Sequence, residues 1–331
     1  VSNLKDKEVF MFHLVDSTLF SSQISDSKQL IDSKPIEDKF LKKTKELFLY
    51  LKSPPTKHSN NFNNNALSYL RDFFFEEQII NYNKELIIIC SPELEMLPFD
   101  IFLFDQKKNK LPIISHQFSL ANYAFLNHLE KNTIKEIDIF SFDFNNTQDS
   151  TYKELKFANE EQLKINAAWK PQLITNSHKG TQFQKFLNKT ESSNIIHLIT
   201  HASQNTTDQA ESYMLFVDDK NKPKPVYFHE FDNCNFKAEL IIISACETAV
   251  GEKIEGEGSA TFANKFISKG AKSVISSIWT ANDKASSILM ANFHKNLKLG
   301  KSKDRSLRDT KLEYLNAVDP EFRHPYYWAG F

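Results

Sequence analysis

Glycine is scarce: 7 residues in 331, roughly a third of the usual share. The scarcity excludes glycine-rich phosphate cradles, and neither a G-x-S-x-G elbow nor a G-x-x-x-x-G-K-[ST] loop occurs. Serine hydrolases of the elbow type and P-loop nucleotidases therefore drop out. Only three cysteines are present, Cys90, Cys234 and Cys246. An odd number in a long chain excludes a disulfide framework and points to a reducing, cytoplasmic compartment. No apolar run reaches membrane-spanning length, and no charged start leads into an apolar segment with a cleavage site, so no membrane partner is expected. Neither sign of charge prevails: 41 basic against 42 acidic side chains leave a net charge of -1. That excludes holding nucleic acid by global charge. The chain opens on Val1 and closes on an aromatic cluster, Tyr326, Tyr327, Trp328 and Phe331; the expectation is a piece of a longer polypeptide.

At this length the chain is one large α/β unit or two packed units. Residues 8 to 25 alternate weakly around Asp16-Ser17 and predict a β-hairpin. Ile36, Phe40, Leu47 and Leu51 recur at helical spacing until Pro54-Pro55, and the polar stretch 54 to 65 predicts an internal loop. Beyond it, helices alternate with short apolar runs, the mark of a mostly parallel sheet covered on both faces. The runs are Leu86 to Cys90, Ile137 to Phe142, Ile195 to Thr200, Leu240 to Ala245 and Val274 to Trp279. Helical patterns fill 154 to 169 and 181 to 188, then a stripe of Phe262, Phe266 and Ile267 ending at Gly270. Two further helices carry Ile288, Leu289, Phe293 and Leu297, and Leu307, Tyr314, Leu315 and Val318.

In such a sheet, chemistry gathers beyond the carboxyl ends of the strands. The third run leads to His201 and the fourth to Cys246; if those strands are neighbours, both side chains reach one crevice. A thiol is mostly protonated at neutral pH, and an adjacent imidazole takes its proton, stabilises the thiolate and then protonates a leaving amine. Three of the seven glycines, Gly251, Gly256 and Gly258, follow Cys246 within twelve residues, placing a tight or flexible loop beside it. Cys90 and Cys234, without a His at a comparable strand end, read as structural. His197 and His201 form H-x-x-x-H, but on a strand and without the following Glu of a zinc peptidase. His197 reads as a packed strand residue, with no metal and no cofactor expected.

His197 to His201, Leu240 to Thr248, Gly270 to Trp279 with Asp283, and His324 to Phe331 together resemble the CHAT domain. This is the caspase-like peptidase domain associated with tetratricopeptide repeats and related to separase. Met96-Leu97-Pro98-Phe99-Asp100-Ile101 resembles a further element of that family, so the resemblance covers nearly the whole chain, in order. It implies a caspase-like α-β-α sandwich with a mostly parallel central sheet. A degenerate N-terminal half, residues 1–133, would pack on an active peptidase half, residues 134–331. It further implies His201 as general base and acid, Cys246 as nucleophile, and the backbone N–H groups of Cys246 and Ala202 as oxyanion donors. The family commonly has Gly after this His; Ala202 keeps the N–H.

Two functions follow as expectations. One is a regulated cysteine endopeptidase, acting on protein substrates and released by an activating protein or a repeat region, with a place in bacterial signalling or defence. The alternative is a catalytically idle interaction module. Acidic residues surround both strand ends: Asp208, Glu211, Asp218 and Asp219 after His201, and Glu247, Glu252, Glu255 and Glu257 after Cys246. With Asp283 and Glu247 as candidate substrate-binding carboxylates, a basic or neutral residue is expected before the cut. Asp283 and Asn282 also suit capping of the helix that begins near Lys284. The glutamate-rich segment 247 to 258 is expected to be ordered only when docked.

Overall fold

The computed structural model describes residues 4–26, 28–55, 64–75, 80–95, 97–129, 133–142, 152, 155–203, 205, 208–244, 252–254, 258–280 and 282–331. These residues form two compact units: Val1–His128 with Lys301–Ala329, and Leu129–Gly300 with Gly330–Phe331. The first unit thus takes in Lys301–Ala329 from the far end of the chain.

The first unit opens with β1 (Lys7–Val15) and β2 (Thr18–Ile24), the expected hairpin, with Asp16 at positive φ in its turn. Next come β3 (Gln29–Pro35), α1 (Asp38–Lys52), α2 (Asn64–Phe75), β4 (Glu85–Cys90), α3 (Phe99–Leu103), β5 (Ile113–His116) and α4 (Leu120–His128). α1 buries Phe40, Leu47 and Leu51, the stripe its spacing predicts. The loop expected at 54 to 65 falls mostly outside the described residues. The five strands lie in the order β3-β2-β1-β4-β5. β4 is parallel to both β1 and β5. Phe10 and Phe12 from β1 meet Phe74, Phe75 and Phe99 in ring contacts of 5.1 to 5.7 Å. Each such burial contributes on the order of 2–3 kcal/mol.

The second unit carries β6 (Glu136–Ser141), α5 (Ala158–Trp169), β7 (Ile174–Lys179), α6 (Phe183–Leu187) and β8 (Ile195–Ile199). A small sheet follows, made of β9 (Ala202–Ser203), β10 (Tyr213–Val217) and β11 (Pro223–Tyr227). Then come β12 (Leu240–Ser244), the pair β13 (Glu252–Ile254) and β14 (Gly258–Ala260), α7 (Phe262–Ser268), β15 (Val274–Ile275) and α8 (Asp283–Lys298). α9 (Lys303–Ala317) returns to the first unit. The main sheet is wholly parallel in the order β15-β12-β8-β6-β7.

Alternation along the strands divides the interior of this sheet. Phe140, Ile196, Leu198, Ile241 and Ile243 pack with Phe186, Phe262 and Phe266 of α6 and α7. The opposite parity, with His197 and Ser244, faces α5 and α8. Helices therefore cover both faces. α7 stops at Gly270 as its sequence predicts; its φ is +105°, and a Cβ there would collide with the Phe236 carbonyl.

Several elements of the second unit depart from the expected pattern. β7 and the β10–β11 hairpin are additional strands: β7 is polar because it is an edge, and Tyr213–Val217 turns back through the Asp218–Lys222 turn. β15 is only two residues long rather than extending to Trp279. Ser277 Oγ bonds the Trp279 carbonyl at 2.6 Å, and the Ile278 N–H goes to the Gly330 carbonyl at 2.9 Å, so that segment leaves the sheet.

Candidate active site

The chain runs from β6 outward to β7 on one side and then to β8 on the other, so the strand order reverses at β6/β8. A crevice opens at such a reversal, beyond the carboxyl ends of the strands. β8 ends there and delivers His201. The imidazole is half-buried, with ring centroids 6.5 Å from Phe142 and 6.2 Å from Tyr152. β8 and β12 are parallel neighbours with Ile199 opposite Ser244. His201 is two residues beyond the first and Cys246 two residues beyond the second in the sequence. Cys246 and Glu247 lie outside the described residues.

β9 fixes the backbone after His201. The Leu215 N–H donates to the His201 carbonyl at 2.9 Å while Ala202 stands opposite Met214. That arrangement makes Ala202–Met214 a non-hydrogen-bonded pair, so the Ala202 N–H turns away from β10.

Asn282, and not Asp283, caps α8: its Oδ1 accepts from the Ala285 N–H at 3.0 Å. Asp283 Oδ2 accepts from the Phe157 N–H at 3.0 Å, tying α8 to the approach of α5. Burial holds the Asp283 carboxyl above its ordinary range, the Phe157 bond and His201 work against this, and the Glu161 carboxylate adds to it. Of the other acidic residues, Asp208 and Asp218 build turns. Asp208 accepts from the Ala210 N–H. Asp218 accepts from Lys220 and Lys222 N–H groups. Asp219 accepts from Gln182. In the glutamate-rich segment, β13 pairs antiparallel with β14, Lys253 opposite Ser259.

Cys234 is buried, and burial pushes its thiol up to about 12. Cys90 is also pushed up, first by burial and then by Glu95 and Glu93. Neither thiol is activated. The structure does correct one premise: β5, parallel to β4, ends on His116, with Ile88 opposite it. Cys90 thus has a histidine at a neighbouring strand end. The short strand Ile113–His116 gave too weak a pattern to be read as a strand.

His197 is packed within its strand, as expected, but not among apolar groups. Trp169 Nε1 donates to His294 Nδ1 at 2.9 Å, and His294 Nε2 lies 2.9 Å from His197 Nδ1. His197 Nε2 lies 2.9 Å from Glu161 Oε1, off the line of a good hydrogen bond. Ser244 Oγ reaches Glu161 Oε2 at 3.4 Å. None of the five is more than 8% exposed. Burial lowers His197 to about 3 and raises Glu161 to about 8. His294 is lowered too, by burial and by His197. Sequence reading missed this chain because its members lie on four elements, and the buried stripes of α5 and α8 carry other polar residues, Gln162, Ser286, Ser287 and Asn296, that mask Glu161 and His294. Among the described residues no group of three or more His, Cys, Asp or Glu is arranged to hold a metal, and no helix is long and apolar enough to cross a membrane.

A family model described as the CHAT domain matches residues 66–331, well over half of the chain. No curated protein matches. Among solved structures, the crystal structure of the Arg specific cysteine proteinase gingipain R is similar to this chain. The TM-score is 0.51 at 9% identity, over 89% of this chain and 78% of that one. At that identity the likeness is one of fold: mixed α/β, caspase-like, with a parallel central sheet.

Proposed function

The chain belongs to the CHAT domain family, and from that premise we propose that it is a regulated cysteine endopeptidase with Cys246 as nucleophile and His201 as general base and acid. One observation carries the reading. The parallel register of β8 and β12 sets Ile199 opposite Ser244, so the chain advances equally from each strand end to His201 and to Cys246. In the reaction, His201 takes the thiol proton as Cys246 Sγ bonds to the scissile carbonyl carbon. The tetrahedral oxyanion is held by the N–H groups of Ala202 and Cys246, and the direction of the Ala202 N–H supports that role. Collapse breaks the C–N bond, and His201 passes its proton to the leaving amine. Water, deprotonated by His201, then cleaves the thioester, returning the acid product and the thiol.

The substrate is a protein segment with a basic or neutral residue before the cut. Asp283 and Glu247 are the substrate-binding carboxylates in this reading, and the Arg specificity named for gingipain R supports it. The second unit serves as the peptidase half, the first as its degenerate counterpart. A partner protein or repeat region releases the activity in the cytoplasm. The test is cleavage of a peptide library by the full chain. The proposal expects cuts after Lys, Arg or neutral residues that disappear in Cys246→Ala and in His201→Ala. Cleavage chiefly after Asp or Glu contradicts the specificity; cleavage that survives both changes contradicts the dyad; an inert chain that still binds partners supports the idle module.

A further inference from the structure

The backbone of His201 is fixed by β10, since the Leu215 N–H holds the His201 carbonyl at 2.9 Å. Its ring is not fixed by the same bond. The torsion that turns an imidazole about its Cβ–Cγ bond is broad and roughly two-fold, so the side chain by itself selects no single ring angle. Proton exchange with a thiol needs a ring nitrogen within hydrogen-bond reach and in line. Neighbouring groups have to supply that angle.

Two aromatic rings stand beside the imidazole. Along β10, Met214 and Phe216 enter the main core of the second unit, while Leu215 and Val217, of the opposite parity, join Phe142 in a separate cluster. Phe142 is 4% exposed, and its N–H donates to the Ile199 carbonyl at 2.9 Å, so the end of the sheet holds it. Its ring lies 6.5 Å from the His201 ring with 78° between the planes. Tyr152 packs against the same cluster and stays half-buried. Its ring lies 6.2 Å from that of His201 with 33° between the planes. One ring therefore crosses the plane of the imidazole and the other runs closer to parallel with it.

We propose that Tyr152 is a positioning residue of this site: with Phe142 it forms an aromatic corner that keeps the His201 imidazole at one angle, aimed at the thiol proton and then at the leaving amine. The consequence for activity rests on the Cys246–His201 reading; the corner itself rests on the ring contacts. Phe142 is the fixed wall, because its backbone belongs to the sheet. Tyr152 is the second wall. It lies over a cluster apart from the main core, and the chain that carries it is tied down at Phe157, whose N–H is held at 3.0 Å by Asp283 at the start of α8. The working part is the flat ring and not the hydroxyl, since a ring blocks rotation of its neighbour by shape and edge-to-face preference. An aromatic pair shifts an orientational equilibrium by about two- to tenfold, and a misdirected ring loses the alignment that proton transfer needs.

The test compares wild type, Tyr152→Phe and Tyr152→Ala in the full chain, with its activator where one is needed. Three quantities are read: steady-state cleavage of one fluorogenic peptide, the order parameter of the His201 ring C–H bonds from carbon-13 relaxation, and thermal unfolding, which establishes that each variant is folded. Tyr152→Ala should lower kcat about tenfold, keep KM within about twofold, and lower the order parameter of the His201 ring. Tyr152→Phe should restore both the rate and the ring order. If Tyr152→Ala fails to fold, Tyr152→Leu takes its place with the same expectations, because it keeps an apolar contact with the cluster but not a flat ring. An unchanged His201 order parameter in Tyr152→Ala overturns the inference. So does a raised KM with kcat kept, which makes Tyr152 a substrate contact, or a Tyr152→Phe as slow as Tyr152→Ala, which makes the hydroxyl the working group. A wild type that cleaves nothing, together with loss of ring order in Tyr152→Ala, refutes the peptidase reading and leaves the aromatic corner standing.

Discussion

The first unit sets a cysteine and a histidine at the ends of neighbouring parallel strands, and in the second the sequence carries His201 and Cys246 two residues beyond such strands, yet only the second pair is proposed to react. In the first unit, β4 ends on Cys90 and β5 on His116. Behind them stands an aromatic interior, with Phe99 6.0 Å from His116. Around Cys90 stand Glu93 and Glu95, which oppose a thiolate as burial does. In the second unit the strands leading to His201 and Cys246 are backed by a polar chain that is neutral at neutral pH. On the proposed reading, strand-end placement makes a site available and the surrounding charges decide whether a thiol there is a nucleophile.

The comparison breaks most visibly if the wrong pair reacts. Cys246→Ala or His201→Ala should lower peptide cleavage by at least about a thousandfold, and the double change should cost little more than either alone. Cys90→Ala should leave the rate within about twofold. Progress curves on one fluorogenic peptide measure all four variants.

The next effect is on stability. Glu161 moves from its ordinary 4.5 to about 8, so the folded state holds a proton that the unfolded chain has released. Its stabilisation is complete below the ordinary value and is lost as pH rises through about 8. Relative to Glu161→Gln, wild type should lose on the order of 4 kcal/mol across that window. His197 has the opposite sign. Lowered from 6.5 to about 3, its contribution is present above the ordinary value and lost as pH falls through about 3. Between 4.5 and 6.5 these two slopes cancel, and His294 of the same chain, lowered as well, adds a rising one, so denaturant titrations should find the chain's contribution to stability increasing with pH across that range.

Smaller effects sharpen the frame of the second unit. A Cβ on Gly330 would sit 2.9 Å from Ser277 Oγ and 3.0 Å from the Trp279 ring. Gly330→Ala should therefore cost about 1–3 kcal/mol by overpacking, read as a lower denaturation midpoint. Asn282→Ala removes the cap of α8 and should cost about 1 kcal/mol. Asp283→Ala, which frees the Phe157 N–H, should cost a similar amount. If Asp283→Ala also removes a preference for basic residues before the cut, its carboxylate serves the pocket as well as the clamp.

The inner parallel strands were legible because they are apolar on both faces, as Leu86 to Cys90 and Leu240 to Ser244 are. Edges were not: β7 is polar and β5 is short, so each lacks the run that betrays a buried strand. The neighbourhood of β8 and β12 was legible from their matching strand ends, and the register bears it out. The Glu161 chain was not legible, since its members are brought together by the packing of α5 and α8 on the sheet, which no local pattern encodes. Asn282 and Asp283 were both good caps by chemistry; only backbone geometry decides that Asn282 caps and Asp283 reaches Phe157.

The central claim is that Cys246, activated by His201, is the nucleophile. The direct measurement is intact-mass and peptide mapping after reaction of the full chain, with its activator where one is needed, with a peptide electrophile carrying Arg next to the reactive carbonyl. One adduct on Cys246 that is lost in His201→Ala and kept in Cys90→Ala is the result expected. An adduct on Cys90 or Cys234, or one on Cys246 indifferent to His201, would contradict it.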